Sequence, residues 1–211
     1  MAVICPAILA ADENQYHREM EKVGQVAHRI QIDLTDGQFA TARTIEPHQA
    51  WWPVGILTDF HLMYRQPLRA VETILKHKAN MIIVHAEADG DFEQVARYCH
   101  HVGVKVGVAL LPATSPELIR PALGVVDHVL IFDGNLGHYG GKANLELISK
   151  IAILKKLKPS LEIGWDGGVN KDNAAHLIKA GVDVLNVGGF IQNADDPAEA
   201  FRSLQGIADS L

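Results

Sequence analysis

Asp33, His61 and Asp166 pose the chemical question in this chain. Each closes a short, mostly apolar run: IQIDLTDG at residues 30–37, DFHLM at 59–63 and GWDGGV at 164–169. Two carboxylates from separate segments suit general acid and base groups acting on opposite faces of a small substrate. One removes a proton from carbon and the other returns one on the far face, which inverts a stereocentre. A carbon acid beside a carbonyl is too weak for a bare carboxylate, so an electrophile must hold the developing enediolate oxygen. His61 between the two acids points to a metal ion held by ring nitrogen and carboxylate oxygens, with positions left for substrate.

The glycines supply the second piece. GHYGG at residues 137–141, DGGV at 166–169 and VGGF at 187–190 each follow an apolar run. Glycine lets the backbone approach a ligand closely and takes positive φ, so successive N–H groups can form an anion nest. Together they predict a small phosphorylated sugar or a similar compound as substrate.

The elements that must position these residues are legible in the hydrophobic pattern. Strand-length runs are expected at residues 3–9, 28–34, 56–63, 80–85, 104–110, 127–132, 161–165 and 182–187. Helices are expected between them, at 12–23, 67–76, 91–101, 115–122, 144–156, 171–180 and 197–209, with a short one near 47–52. Asp12 is placed as an N-cap, and Pro67 opens a first helical turn, where proline is tolerated. The runs MIIV, VGVAL, HVLIF and DVLNV are nearly all apolar, as in parallel strands buried on both faces. Eight strand–helix units over 211 residues predict an α/β fold, a single (β/α)8 TIM barrel spanning residues 1–211 as one domain. An open doubly wound sheet is the alternative.

In a barrel the working residues belong at the C-terminal strand ends. Asp33, Asp36-Gly37, His61, His85, Glu87, Asp133, Asp166 and Gly188-Gly189 all fall there. Side chains alternate along a strand, so Gln31, Asp33 and Thr35 share one face while Ile30, Ile32 and Leu34 share the other. By the same alternation Trp165 points away from Asp166, into the helical layer. His85 is a candidate for the pocket. His28 is expected to be structural, and His48, His77, His100, His101, His128 and His176 to be surface or packing residues.

Composition excludes several classes. The chain is 48% hydrophobic, with a formal net charge of −6 and no basic run, which argues against nucleic acid. No apolar stretch approaches the roughly 18 residues of a membrane span. Cys5 and Cys99, far apart and outside any CxxC spacing, are expected to be reduced thiols. These features predict a soluble, cytoplasmic protein without membrane or nucleic-acid partners, and they leave a homo-oligomer open.

The same motifs resemble the ribulose-phosphate 3-epimerase family along nearly the whole chain. CPAILAAD is similar to that family's PSILSAD, IQIDLTDGQF to its HxDxMDGxF, DFHLM to its DxHLM and VHAEA to its FHxEA. GVALLPAT is similar to GxAxNPxT, LGHYGG to PGFGGQ, WDGGVN to VDGGV and AGVDVLNVGGFI to AGAxxxVxGSAI. The resemblance implies a (β/α)8 fold and epimerisation at carbon 3 of a ketose phosphate through an enediolate, with ribulose 5-phosphate and xylulose 5-phosphate or close relatives as the pair. It implies a divalent metal, zinc first, with manganese, iron, cobalt or magnesium as alternatives. Asp33 and Asp166 become acid/base residues and metal ligands, and His61 a metal ligand. Met63 and Gly140, Gly141, Gly167, Gly188 and Gly189 become substrate-binding residues.

Departures from the family pattern accompany the match. Gln31 stands where the family carries a metal-binding His, and an amide oxygen is a poorer zinc ligand than imidazole. Gln31 is therefore a weak fourth ligand, or water takes its place. Ala7, Ala10 and Gly189 replace serines, Thr35 and Phe132 replace methionines, and Lys142 replaces a glutamine. The glycine loop is one residue longer, so His138 or Tyr139 intrudes. These changes keep open an isomerase or lyase without tight metal, and a non-catalytic phosphosugar-binding relative.

Overall fold

The computed structural model describes residues 2–211. Eight parallel strands close into a barrel in chain order: β1 (Val3–Ile8), β2 (Arg29–Thr35), β3 (Leu57–Met63), β4 (Met81–His85), β5 (Lys105–Leu110), β6 (His128–Phe132), β7 (Glu162–Asp166) and β8 (Val184–Val187). β1 pairs with both β2 and β8, which leaves no open edge and excludes the doubly wound sheet.

The outer layer holds α1 (Glu13–Val23), α2 (Leu68–Ile74), α3 (Phe92–His101), α4 (Ser149–Leu157), α5 (Lys171–Lys179), α6 (Gly189–Gln192) and α7 (Pro197–Asp209). The N-caps are chemical. Asp12 Oδ1 accepts from the Gln15 amide at 2.9 Å, and Asp91, Asn170 and Asp196 cap α3, α5 and α7 in the same way. The helix expected at 115–122 is instead a 3₁₀ segment, Pro116–Ala122. Pro121 lies inside it and lacks the N–H that a full α-turn needs. The helix expected at 144–156 likewise begins as a 3₁₀ turn, Leu145–Ile148, before α4, and the expected short helix near 47–52 shrinks to a 3₁₀ turn at Pro47–Gln49.

Strand alternation divides the core into two layers. Ile30, Ile32, Leu34, Phe60, Leu62, Val129, Ile131, Ile163 and Trp165 face outward into the large cluster between sheet and helices. Met81, Ile83, Ala109 and Leu130 form a smaller cluster inside the barrel. The inward parity of β2, β3 and β7 carries mostly polar groups instead, and those toward the C-terminal strand ends build the site. Among the described residues no helix is long and apolar enough to cross a membrane. Cys5 and Cys99 are free and buried.

Candidate active site

Asp33, His61 and Asp166 converge at the C-terminal mouth of the barrel, their ligand atoms within 4.8 Å of one another. Strand register brings the first two together, since Asp33 lies beside His61 in the β2–β3 ladder. His61 Nδ1 is 2.9 Å from Asp33 Oδ1 and 3.8 Å from Asp166 Oδ2. Gln31, one inward position below Asp33, donates from Nε2 to Asp33 Oδ1 at 2.8 Å and to Asp166 Oδ2 at 2.6 Å. One amide group therefore bridges carboxylates that are 133 residues apart in the chain.

Burial governs the electrostatics. It pushes Asp33 up to about 7, against the lowering effect of the Gln31 hydrogen bond. It pushes Asp166 up to about 7 as well, helped by the neighbouring Asp33 charge. His61 is carried down to about 4 by burial, against the pull of Asp166, and is neutral at physiological pH. Two buried acids this close titrate as a coupled pair, whose proton uptake burial moves well above the ordinary carboxylate range.

A cation fits this donor set. One neutral ring nitrogen and two carboxylate oxygens converge, as in histidine–carboxylate sites for divalent ions. Gln31 supports the fit, because its Oε1 is buried without a hydrogen-bond partner. A half-turn of the amide places that oxygen where Nε2 now faces both carboxylates. The amide N–H₂ faces the two carboxylates, and a bound cation would favour the flipped amide.

Beside these groups lies a cavity of about 240 Å³. Asp33, Asp166 and Met63 line one part of it, and Gly140, Gly141, Gly167, Gly188 and Gly189 line another. Gly140, Gly141 and Gly167 have φ of +98°, +112° and +130°, conformations that side chains rarely tolerate. A Cβ at Gly167 would strike the Asp133 carbonyl carbon and the Gly134 amide. Of the expected substrate-binding residues, His85 alone does not line the cavity, and the expected metal ligands His61 and Gln31 lie behind its wall. His85 stands behind His61, with its Nε2 2.9 Å from His61 Nε2, packed against Phe39 and Phe132. Asp36 and Asp133 are also taken up by the frame. Asp36 accepts from the Gln38, Phe39 and Arg65 amides, and Asp133 from the Asn144 amide.

His138 and Tyr139 of the lengthened glycine loop both line the cavity, and Tyr139 is tied into the frame. Its hydroxyl donates to Glu19 on α1 and accepts from the Leu9 amide at 2.6 Å. Its ring lies so close to Gly188 that a Cβ there would come within 2.7 Å of it. The buried Glu19 carried no sequence signal, because its α1 position reads as an ordinary polar helix site.

Two acids, a histidine and a glycine-lined cavity at the C-terminal mouth of a (β/α)8 barrel define an enzyme of the phosphosugar-barrel class. The chain belongs to the ribulose-phosphate 3 epimerase family, whose profile matches residues 3–192. It is 34% identical to ribulose-phosphate 3-epimerase of Bacillus subtilis, over 98% of this chain and 99% of that protein. It is 30% identical to the enzyme of the same name from Helicobacter pylori strain ATCC 700392 / 26695, covering 99% of each. Solved structures give the same fold at low identity. 3-Hexulose-6-phosphate synthase from Salmonella typhimurium superposes with a TM-score of 0.75 at 16% identity, over 99% of both chains. KGPDC from Streptococcus mutans gives 0.77 at 12% identity, over 99% of this chain and 98% of that one.

Proposed function

We propose that this chain interconverts ribulose 5-phosphate and its carbon-3 epimer xylulose 5-phosphate, with Asp33 and Asp166 as the paired acid and base. The carrying observation is that both carboxylates line one small cavity, with one amide nitrogen reaching both at 2.8 and 2.6 Å. In the working state one member of the pair holds a proton and the other does not. The ionised member takes the proton from carbon 3 on one face, and the protonated member delivers one on the other. Each conversion leaves the two protonation states exchanged: the reverse reaction starts directly from that state, and a further conversion of the same epimer requires the pair to trade protons with solvent first.

Asp33, His61 and Asp166 are the residues that would hold a divalent cation, with Gln31 Oε1 as a weaker fourth donor. Zinc suits the ring nitrogen, and manganese, iron, cobalt or magnesium suit the oxygens. Such a cation supplies electrophilic stabilisation of the enediolate's negative charge. His61 contributes a neutral lone pair, since burial disfavours its charged form. Met63, with Leu9 and Phe132, gives the cavity an apolar wall that keeps water from the reacting carbon. The glycines at the other end present backbone to the phosphate.

The direct test is deuterium uptake at carbon 3 of ribulose 5-phosphate in heavy water, followed by detection of the epimer. Absence of both with metal-replete protein removes the assignment.

Two smaller predictions follow from the site. Gln31→His should tighten zinc binding at least about tenfold, the size of loss seen even for partners outside the ligand set. Chelator competition reads this, and an unchanged affinity places residue 31 outside the cation's reach. Gly167→Ala should cost more than Gly140→Ala. Both have positive φ, a strain of about 1–3 kcal/mol for a non-glycine residue. Only at Gly167 does the new methyl also meet backbone, whereas the space beside Gly140 is open. Thermal unfolding and KM for the phosphorylated substrate give the comparison, and equal costs would contradict the tight cradle.

A further inference from the structure

His85 and Glu87 are unused by the proton transfers above, yet they are built into the site from behind. His61 Nε2 and His85 Nε2 lie 2.9 Å apart, both rings fully buried. On the far side of that ring, His85 Nδ1 lies 3.5 Å from Glu87 Oε2. Glu87 Oε1 accepts from the Thr114 hydroxyl and from the Leu111 amide at 3.1 Å. The loop carrying those donors is pinned in turn. Lys150 Nζ donates to the Leu111 and Thr114 carbonyls at 2.8 and 2.9 Å.

Two ring nitrogens at 2.9 Å share one proton, so the chain has a direction. If His85 donates from Nε2, its Nδ1 presents a lone pair to the Glu87 carboxylate, and two electron-rich atoms face each other in a buried place. If His61 donates, His85 carries its proton on Nδ1, pointed at that carboxylate. A cation held on His61 Nδ1 leaves that ring's proton on Nε2, and the charge of Glu87 favours the same, second arrangement. That charge is secured by two donors on its other oxygen. The consequence at the near end is chemical: with its proton on Nε2, His61 turns its Nδ1 lone pair toward Asp33 Oδ1 at 2.9 Å and Asp166 Oδ2 at 3.8 Å, an electron-rich cluster whose mutual repulsion a cation would offset.

We propose that His85 and Glu87 are positioning residues that fix the tautomer of His61, so that its Nδ1 lone pair is presented to a cation between Asp33 and Asp166. This rests on the reading of those three residues as a cation site. The pairing of a ligating histidine with a carboxylate on its other nitrogen is a general device for orienting the ring and raising its basicity. Here a second histidine is interposed, and the carboxylate acts one ring further back. Phe39 and Phe132 hold the His85 ring between them, with centroids 4.7 and 5.6 Å away, so the ring has little freedom to turn and break the chain.

The test uses zinc ion as the probe, with wild type, His85→Phe and Glu87→Gln. Competition against a chromophoric chelator should show zinc affinity lower by about 10–100-fold in each variant, the loss typical of outer partners of a metal-bound histidine. Nitrogen-15 spectra of histidine-labelled, zinc-loaded wild type should show His85 neutral and protonated on Nδ1. In Glu87→Gln that preference should be lost, because an amide both donates and accepts. A merely structural role would lower the melting temperature without moving either readout. Wild-type zinc affinity in both variants, or His85 protonated on Nε2 in wild type, overturns the relay while the cation site stands. A wild-type protein that binds no zinc overturns the cation site and the relay with it. The wild-type spectrum decides the matter even where a variant fails to fold.

Discussion

Asp33→Asn is expected to lower turnover by about 10²–10⁴-fold or more, with stability kept or slightly raised. The kinetic side follows from the loss of one member of the acid/base pair, together with a carboxylate ligand. The stability side follows from burial. In the folded chain Asp33 is pushed up to about 7, so ionising it near neutrality opposes folding in the metal-free protein. A carboxyl with a raised folded pKa contributes stability at low pH, and that contribution is lost as pH rises through the folded value. Asparagine does not ionise, and its amide oxygen still accepts from Gln31 Nε2 in place of Asp33 Oδ1. Isotope exchange separates the two acids. With one acid gone, the survivor still faces carbon 3 from its own side. Asp33→Asn should therefore exchange deuterium into one epimer without converting it, and Asp166→Asn into the other. Near-native turnover in either variant, or the same epimer exchanged by both, would end the two-acid assignment.

Much of this site was legible because the barrel obeys a simple parity. All eight strands lie within about two residues of where the apolar runs place them, since parallel strands buried on both faces announce themselves by composition. Asp33, His61 and Asp166 could be named because strand ends carry function in this architecture, and they do meet. Trp165 faces the helical layer, as alternation required. Other features were not visible. His85 has the right position for the cavity, but His61 on the adjacent strand comes between it and the opening, and only three-dimensional register shows that. His128, expected on the surface or in packing, is 1% exposed and turned into the barrel interior. Parity could have found it, because 128, 130 and 132 share the inward face of β6. The same reasoning applied to 29, 59 and 162 would have flagged a set of charges inside the barrel. It was masked by the usual assumption that a charge at a strand start is solvated.

Those charges carry the second large effect. Arg29 is buried near the N-terminal end of the barrel, below the site. Its Nε donates to Asp59 Oδ2 at 2.6 Å, and its Nη1 and Nη2 clasp both oxygens of Glu162 at 2.9 and 2.8 Å. Asp59 also accepts from Asn80 Nδ2 at 2.6 Å, and Glu162 Oε2 lies 2.7 Å from His128 Nδ1. One guanidinium thus compensates two carboxylates, one of them almost wholly buried. Arg29→Met is expected to destabilise the fold by about 3–5 kcal/mol, because it strands buried charge without a partner. At about 2–4 °C per kcal/mol for a chain of this size, the melting temperature falls by roughly 6–20 °C. The pH dependence has a definite sign. Burial would raise Glu162, but hydrogen bonds from His128 and Arg29 outweigh it and hold the carboxyl well below the usual range. Its contribution is present above the ordinary carboxylate range and is lost as pH falls through the folded value. Asp59 is raised, since burial there exceeds the pull of Arg29, and without Arg29 it rises further. The penalty of Arg29→Met should therefore be largest near neutrality and shrink toward pH 4, where both carboxyls take up protons more readily in the variant than in wild type. Adding Asp59→Leu and Glu162→Met to Arg29→Met should recover most of the loss, since apolar side chains of similar volume replace buried ion pairs at little or no cost. Turnover of the folded single variant should stay near wild type, because the network sits at the stabilising end of the barrel and not at its mouth. Chemical unfolding at several pH values, with activity measured alongside, separates these outcomes. A penalty below about 1 kcal/mol, the scale of exposed pairs, would mean that solvent reaches this floor and that the ions are not the clamp their distances describe.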